Sequence, residues 1–419
     1  MKSMQEDTAK TRRSSSPTRW SAGRKLALLG CCAALSGPAA AQSVDLDFYG
    51  KLYPEVLGYD VKGGTGQDAP VSSLARPGQN DADYSGSALE SSNSRVGVRG
   101  SLPLGENGLK AIFQLETTVP IDSGTKSSNF WNRDSYVGLA GRYGTLKVGL
   151  LDTVYKTMAE NASFLSVSSG NFVSISNIIA RQGFGTSSAS SFHLRRSNSI
   201  YYESPVYNGF QGLVQYSIGE KSDKGDPNQW LASFGIQYDT DALHVAVAHE
   251  VHHDFFGGTL NMPTAELRST EGKSSRDVSS RFTVKYTFPS RTRVDVNYAR
   301  TKFNEHGGTA GSFKSYEHDS YSIGLRQPVG KWAFAAQYGV AERGRCALIG
   351  SMACSTDGLD GTMTSVGASY SLSKQFSLFG LYSYLRNGAS AVYSNLGDAP
   401  PVTTGADIQQ VALGVSFSF

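Results

Sequence analysis

The sequence predicts an all-β protein, a 16-stranded antiparallel transmembrane β-barrel, and three observations predict it. Apolar and polar residues alternate with period two from Val44 to Phe419, and helical periodicity is nowhere sustained. The connections between alternating segments are short and long in turn: Pro103–Asn107, Gly141–Gly144 and Gln327–Gly330 are tight, whereas 60–90, 152–192, 252–275 and 387–405 are long and polar. The longest strongly apolar run, Leu26–Leu35, is ten residues, about half of the roughly 20 that a helix needs to cross a bilayer. Membrane-spanning helices are therefore excluded. The count of 16 segments is even, which fits a closed sheet with both chain ends on one side. Closure also pairs every backbone N–H and C=O, the condition for a sheet inside hydrocarbon.

The first 41 residues read differently. They hold seven of the 39 Lys+Arg and two of the 36 acids, so the remainder has 32 basic and 34 acidic residues and a net charge of about −2. A basic stretch, the apolar Leu26–Leu35 and Ala39-Ala40-Ala41 before Gln42 have the layout of an export signal cleaved after residue 41, leaving a barrel of residues 42–419. The basic end is then a targeting feature and predicts no nucleic-acid partner. Arg12-Arg13 is followed by Ser14-Ser15-Ser16, where a twin-arginine signal wants apolar residues, and too few apolar residues precede Cys31 for a lipoprotein signal. Cleavage removes Cys31 and Cys32. Cys346 and Cys354, eight apart in an exported chain, are expected to form a disulfide closing a small loop.

Along the barrel, the first strand sets Val44, Leu46, Phe48 and Leu52 against Asp45, Asp47, Lys51 and Glu55. Leu109, Ala111, Phe113 and Leu115 alternate with Lys110, Gln114 and Glu116; Val294, Val296 and Tyr298 alternate with Asp295 and Asn297. The last strand sets Val411, Leu413, Val415, Phe417 and Phe419 against Gln410, Ala412, Gly414, Ser416 and Ser418. Tyrosine and phenylalanine gather near strand ends on the apolar face, as in an interfacial girdle.

His249-Glu250-Val251-His252-His253 satisfies the zinc-hydrolase pattern H-E-x-x-H. That chemistry needs a helix to bring both histidines to one face. Here Leu243–Ala248 alternates as a strand, on which four residues span about 13 Å, too far for one zinc. The motif is read as a histidine-rich strand end, with no metal site; a hydrolase using His249, Glu250 and His253 stands as the enzymatic alternative. No nucleophile elbow, phosphate loop or dinucleotide fingerprint occurs.

Particular residues resemble a known family. Phe48-Tyr49-Gly50-Lys51, Ser94-Arg95-Val96-Gly97-Val98-Arg99-Gly100 and Gly108-Leu109-Lys110-Ala111-Ile112-Phe113-Gln114-Leu115-Glu116 resemble the opening strands of general porins, beta-proteobacterial in flavour. So do Asn132-Arg133 with Tyr136-Val137-Gly138-Leu139, Gly144-Thr145-Leu146, and Asn198-Ser199-Ile200 with Tyr202-Glu203-Ser204-Pro205. The terminal Phe419 resembles the outer-membrane assembly signal. The resemblance spans essentially all of 44–419. It implies a homotrimer of barrels in the outer membrane of a Gram-negative bacterium, in contact with lipid and lipopolysaccharide. Each barrel would pass small hydrophilic solutes and ions through a water-filled pore, with no catalysis and no cofactor. It further implies that the third external loop, here about 152–192, folds inward and narrows the pore. An adhesin or a substrate-specific channel is the alternative within the same fold.

A porin constriction opposes basic wall residues to acids on the inward loop, and their balance sets ion preference. Parity places Lys51 on the interior face and puts Arg95 and Arg99 on one face together; the resemblance implies Lys51, Arg95 and Arg133 as the basic cluster. Strict alternation groups Arg133 with Val137 and Leu139, so either a bulge shifts the register or Arg133 lies outside the cluster. Arg195 has interior parity and is a fourth candidate. The third loop offers only Asp152 and Glu160 as acids, against Lys156 and Arg181, and is otherwise read as serine-, asparagine- and glycine-rich. Where the family often has Gly-Arg just before this loop, Gly149 is followed by Leu150. The expected outcome is a polar narrowing with a basic excess and weak anion selectivity, opposed by Asp45, Asp47, Glu55 and Glu116 of interior parity.

Overall fold

The computed structural model describes residues 44–80, 83–124, 129–160, 164–166, 171–185, 187–219, 228–397 and 402–419. The expected export signal, 1–41, lies outside them. Nineteen hydrogen-bonded segments join in one closed antiparallel sheet, and three of its strands are interrupted, leaving 16. The strands are β1 (Asp45–Leu52 and Glu55–Lys62), β2 (Tyr84–Glu90 and Arg95–Pro103), β3 (Lys110–Thr118), β4 (Ser135–Gly141) and β5 (Gly144–Asp152). After two short helices, α1 (Val154–Glu160) and α2 (Ser176–Ile179), come β6 (Arg195–Glu203), β7 (Phe210–Ile218), β8 (Trp230–Asp239), β9 (Leu243–His253) and β10 (Ser274–Thr287). The last six are β11 (Arg293–His306), β12 (Phe313–Val329), β13 (Trp332–Ala341 and Arg345–Leu348), β14 (Gly361–Ser371), β15 (Phe376–Asn387) and β16 (Asp407–Ser418). Every strand pairs with its sequence neighbour, and β1 closes the ring on β16 through Lys51↔Ser418 and Lys62↔Asp407.

The first interruption has a local cause. Pro54 lacks the N–H that a ladder position needs, and the neighbouring Tyr53 N–H turns to Ser94 Oγ at 2.8 Å, in the gap of the adjacent strand. The long connections run 63–83, 153–194, 254–273 and 388–406; strand pairing shortens the first and third of them at both ends relative to the sequence reading.

The two faces obey the alternation. Val56, Ile236, Val247, Ile323 and Leu413 are exposed outside, whereas Ser217, Ser233, Ser279, Ser320, Ser365 and Ser383 are fully buried inside. Aromatics collect at the short-turn end, where Phe210 packs on Tyr238, Tyr286 on Phe288 and Trp332 on Tyr370 with ring centroids 4.6–4.8 Å apart, a girdle suited to a membrane interface. Cys346 and Cys354 are joined, with Cα atoms 5.7 Å apart; closing so short a loop contributes about 2–3 kcal/mol in chain-entropy terms.

Candidate functional site

Arg95 of β2, Tyr49 of β1 and Arg133 converge on Glu116 of β3. Lys51 and Arg95 are cross-strand partners, and Arg95 is in turn opposite Thr118. Tyr49 lies flat over Gly97, where a Cβ would be 2.6 Å from the phenol ring; only glycine lets the ring pass. Its hydroxyl thereby donates to Glu116 Oε2 at 2.9 Å. Arg95 Nε is 3.6 Å from the same oxygen, and Arg133 Nε donates to Glu116 Oε1. Lys51 Nζ lies 4.8 Å from the Tyr53 ring centroid.

A second knot lies at the ends of β5 and β6. The register slips between Gly149 and Leu151, which buries Leu151 and sets Asp152 opposite Arg195. Arg195 Nη2 and Lys156 Nζ both lie 2.8 Å from Asp152 Oδ1, and Arg195 Nε lies 2.7 Å from Asp134 Oδ1. Burial and the nearby Asp152 push the Asp134 carboxyl upward, against Arg195 and Lys156. Four cations, Arg95, Arg133, Lys156 and Arg195, thus contact three carboxylates, and Lys51 stands opposite Arg95.

Arg133 needs no bulge. It precedes β4, so strand parity does not govern it; its N–H donates to Glu116 O at 3.2 Å, and Asn132 Oδ1 pins the segment by accepting from Thr118 N at 2.9 Å. Arg99 lies apart, paired with Asp47 at 2.6 Å with both side chains more than half exposed. The side chain of Glu160 lies outside the described residues. Asp134 was missed by the sequence reading, although it directly follows Asn132-Arg133; Lys156, read there only as a cation of the third loop, lies one helical turn past Asp152 and pairs with it.

The described residues of segment 153–194 pack on the buried face of many strands. Thr153 caps α1 by accepting from Lys156 N at 3.3 Å. The next free N–H groups of that helix go to wall side chains: Val154 N to Gln215 Oε1 at 3.2 Å and Tyr155 N to Ser233 Oγ at 2.9 Å. Tyr155 and Ser279 hydroxyls are 2.9 Å apart. Asn171 donates to Glu55 at 2.8 Å, Gln337 to Val173 O, and Ser320 to Ile179 O at 3.1 Å. Gly339 leaves room for Ile175, whose Cδ1 would lie 2.4 Å from an added Cβ. The reading of this loop as polar is corrected: Tyr155, Met158, Phe172, Val173, Ile178, Ile179, Phe184 and Phe192 are all buried, because the segment needs apolar anchors to stay on the wall.

The H-E-x-x-H residues lie on β9. Glu250 and His252 face inward, fully buried and 2.8 Å apart, with His252 stacked on Phe192 at 4.3 Å. His249 and His253 face outward toward Phe234 and Trp230. The motif's carboxylate therefore points away from both of its histidines, which excludes the hydrolase arrangement. Among the described residues no group of three or more His, Cys, Asp or Glu is placed to hold a metal.

The profile of a family described as Gram-negative porin matches residues 27–390. The chain belongs to that family. It is 28% identical over 235 residues to the major outer membrane protein P.IB of Neisseria lactamica, covering 55% of this chain and 61% of that protein. It is 31% identical over 187 residues to the P.IB protein of Neisseria gonorrhoeae, covering 44% and 46%. The porin chain thus spans about half the length of the curated relatives it matches. Its fold is similar to that of an anion-selective porin from Comamonas acidovorans, with a TM-score of 0.66 and 21% identity over 90% of this chain and 100% of that one. It is also similar to Salmonella typhi OmpF, with a TM-score of 0.54 and 15% identity over 89% and 97%.

Proposed function

We propose that this porin is a diffusion channel of the bacterial outer membrane for small hydrophilic solutes and ions, weakly selective for anions. The observation that carries the reading is a closed barrel whose polar interior gathers Arg95, Arg133, Lys156 and Arg195 around Glu116, Asp134 and Asp152, with Lys51 opposite Arg95 on the neighbouring strand. A barrel that needed only to be stable would fill its interior with apolar side chains; charged ones are retained where water and ions pass. Segment 153–194 is the inward loop that narrows the pore, and its many bonds to β1, β7, β8, β10, β12 and β13 support that role. Barrels of this kind assemble as homotrimers within outer-membrane lipid and lipopolysaccharide, and their chemistry is passage without catalysis.

The basic excess of the cluster decides ion preference, since the barrel beyond residue 41 is close to neutral. Charges in a narrow pore lie within a Debye length, about 8 Å at physiological salt, of any passing ion. That the Comamonas acidovorans neighbour is named anion-selective is in keeping with this. Reversal potentials across a KCl gradient are expected to have the sign of chloride preference. Arg95→Gln and Lys51→Gln should reduce it stepwise, and a clear cation preference in the unmodified channel would refute the assignment.

A further inference from the structure

A cavity of about 620 Å³ opens at the long-loop end of the barrel, away from the Glu116 cluster. Four connections build it: Arg76 comes from 63–83, Asn177 and Arg181 from 153–194, Asn261 from 254–273, and Asn395 and Thr403 from 388–406. Its volume is within the range of about 300–1,000 Å³ that small-molecule sites occupy.

We propose that this cavity binds a small organic oxyanion, a solute carrying a carboxylate or phosphate group, through Arg76 and Arg181. The proposal rests on the channel reading and names a class of solute for it. Two arginines line the cavity and no aspartate or glutamate does so among the described residues. Neither guanidinium has a carboxylate partner among those residues, unlike Arg95, Arg99, Arg133 and Arg195, which all do. Arg181 is partly buried, and that burial lowers its affinity for the proton that carries its charge. A cation held this way is stabilised when an anion arrives. The planar guanidinium fork matches carboxylate and phosphate oxygens two at a time. Asparagine and threonine side chains supply further polar contacts, and Phe184, Leu260 and Val402 give the solute's carbon frame an apolar wall.

The walls are fixed before any solute arrives. Thr404 Oγ1 donates to Arg76 O at 3.1 Å, Val392 N to Gly183 O at 2.7 Å, and Asn261 Nδ2 to Ser187 Oγ at 2.8 Å. Each bond ties one connection to another, so little ordering remains for binding to pay for. The site would hold an anion ahead of the Glu116 cluster and raise its local concentration at the narrowing.

Titration calorimetry on the refolded full-length protein in detergent, with succinate, inorganic phosphate and neutral glucose as probes, tests this. Succinate or phosphate should bind at one site per chain, and glucose should not. Arg76→Gln and Arg181→Gln should each weaken binding about tenfold or more, the loss expected for a charge-assisted hydrogen bond. Arg181→Lys, which keeps the charge without the fork, should retain part of it. Succinate binding with no phosphate binding assigns the site to carboxylates, and the reverse to phosphates. Absence of heat with both anions overturns the proposal. So does binding that survives the double Arg76→Gln, Arg181→Gln variant and is lost in Arg95→Gln. Conductance of the same preparation reports on the channel reading separately. Heat without conductance supports the site and refutes the channel; conductance without heat overturns the site alone.

Discussion

Replacing Glu116 by alanine should cost the barrel about 3 kcal/mol of folding free energy and, in the same variant, strengthen its preference for anions. Glu116 is 6% exposed; it accepts from Tyr49 and Arg133 and is the counter-charge of Arg95. Removing one member of a buried ion pair commonly costs about 3–5 kcal/mol, because the partner keeps its charge and loses its counter-charge. The lower end applies here, since the Arg95 and Arg133 side chains are 25% and 16% exposed and keep contact with water. Glu116→Gln should cost less, because an amide oxygen still accepts from Tyr49. Guanidinium-induced unfolding from lipid vesicles measures the first effect and reversal potentials the second. A loss under about 0.5 kcal/mol, the range of an ordinary surface substitution, would mean that Glu116 does not organise this wall.

The second large effect is expected on the outer face. Ile323 of β12 is 54% exposed, and its cross-strand partners Val296 and Tyr338 are exposed as well. Ile323→Arg should destabilise the folded barrel in a bilayer by about 2–4 kcal/mol, the cost of an arginine at the hydrocarbon midplane of a barrel. Nothing adjacent on that face offers it a carboxylate. Ile323→Ala should cost far less in the same vesicles. A cost near zero for the arginine would place Ile323 outside the hydrocarbon zone and shift the membrane along the strands.

Alternation made the strands legible because each residue's face follows from its parity alone; Lys51, Arg95 and Arg195 needed no more than that. It failed where the backbone leaves the strand. Arg133 lies before β4, so its approach to Glu116 follows from the segment pinned by Asn132, a pairing between residues 17 apart in sequence. The slip between Gly149 and Leu151 that turns Asp152 toward Arg195 has no hydropathy signature. Segment 153–194 was hardest to read. Its apolar anchors are scattered singly among serines and glycines, and each meets a different strand: Phe172 near Tyr53, Ile178 near Met363, Phe192 near Phe303. Such contacts carry no period, so only the folded chain reveals them. Arg99 misled in the opposite way: it shares parity with Arg95, yet four residues along a strand are about 13 Å, and it pairs with Asp47 instead.

A barrel that encloses a continuous path for water and ions must conduct, so the decisive measurement is the current through single refolded proteins in a planar bilayer. Expected are discrete, long-lived openings that arrive in groups of three, ohmic in KCl, with a conductance that rises when residues 171–185 of segment 153–194 are replaced by a glycine-serine linker. A protein that inserts as a folded barrel and passes no current, with or without that segment, would contradict the channel reading.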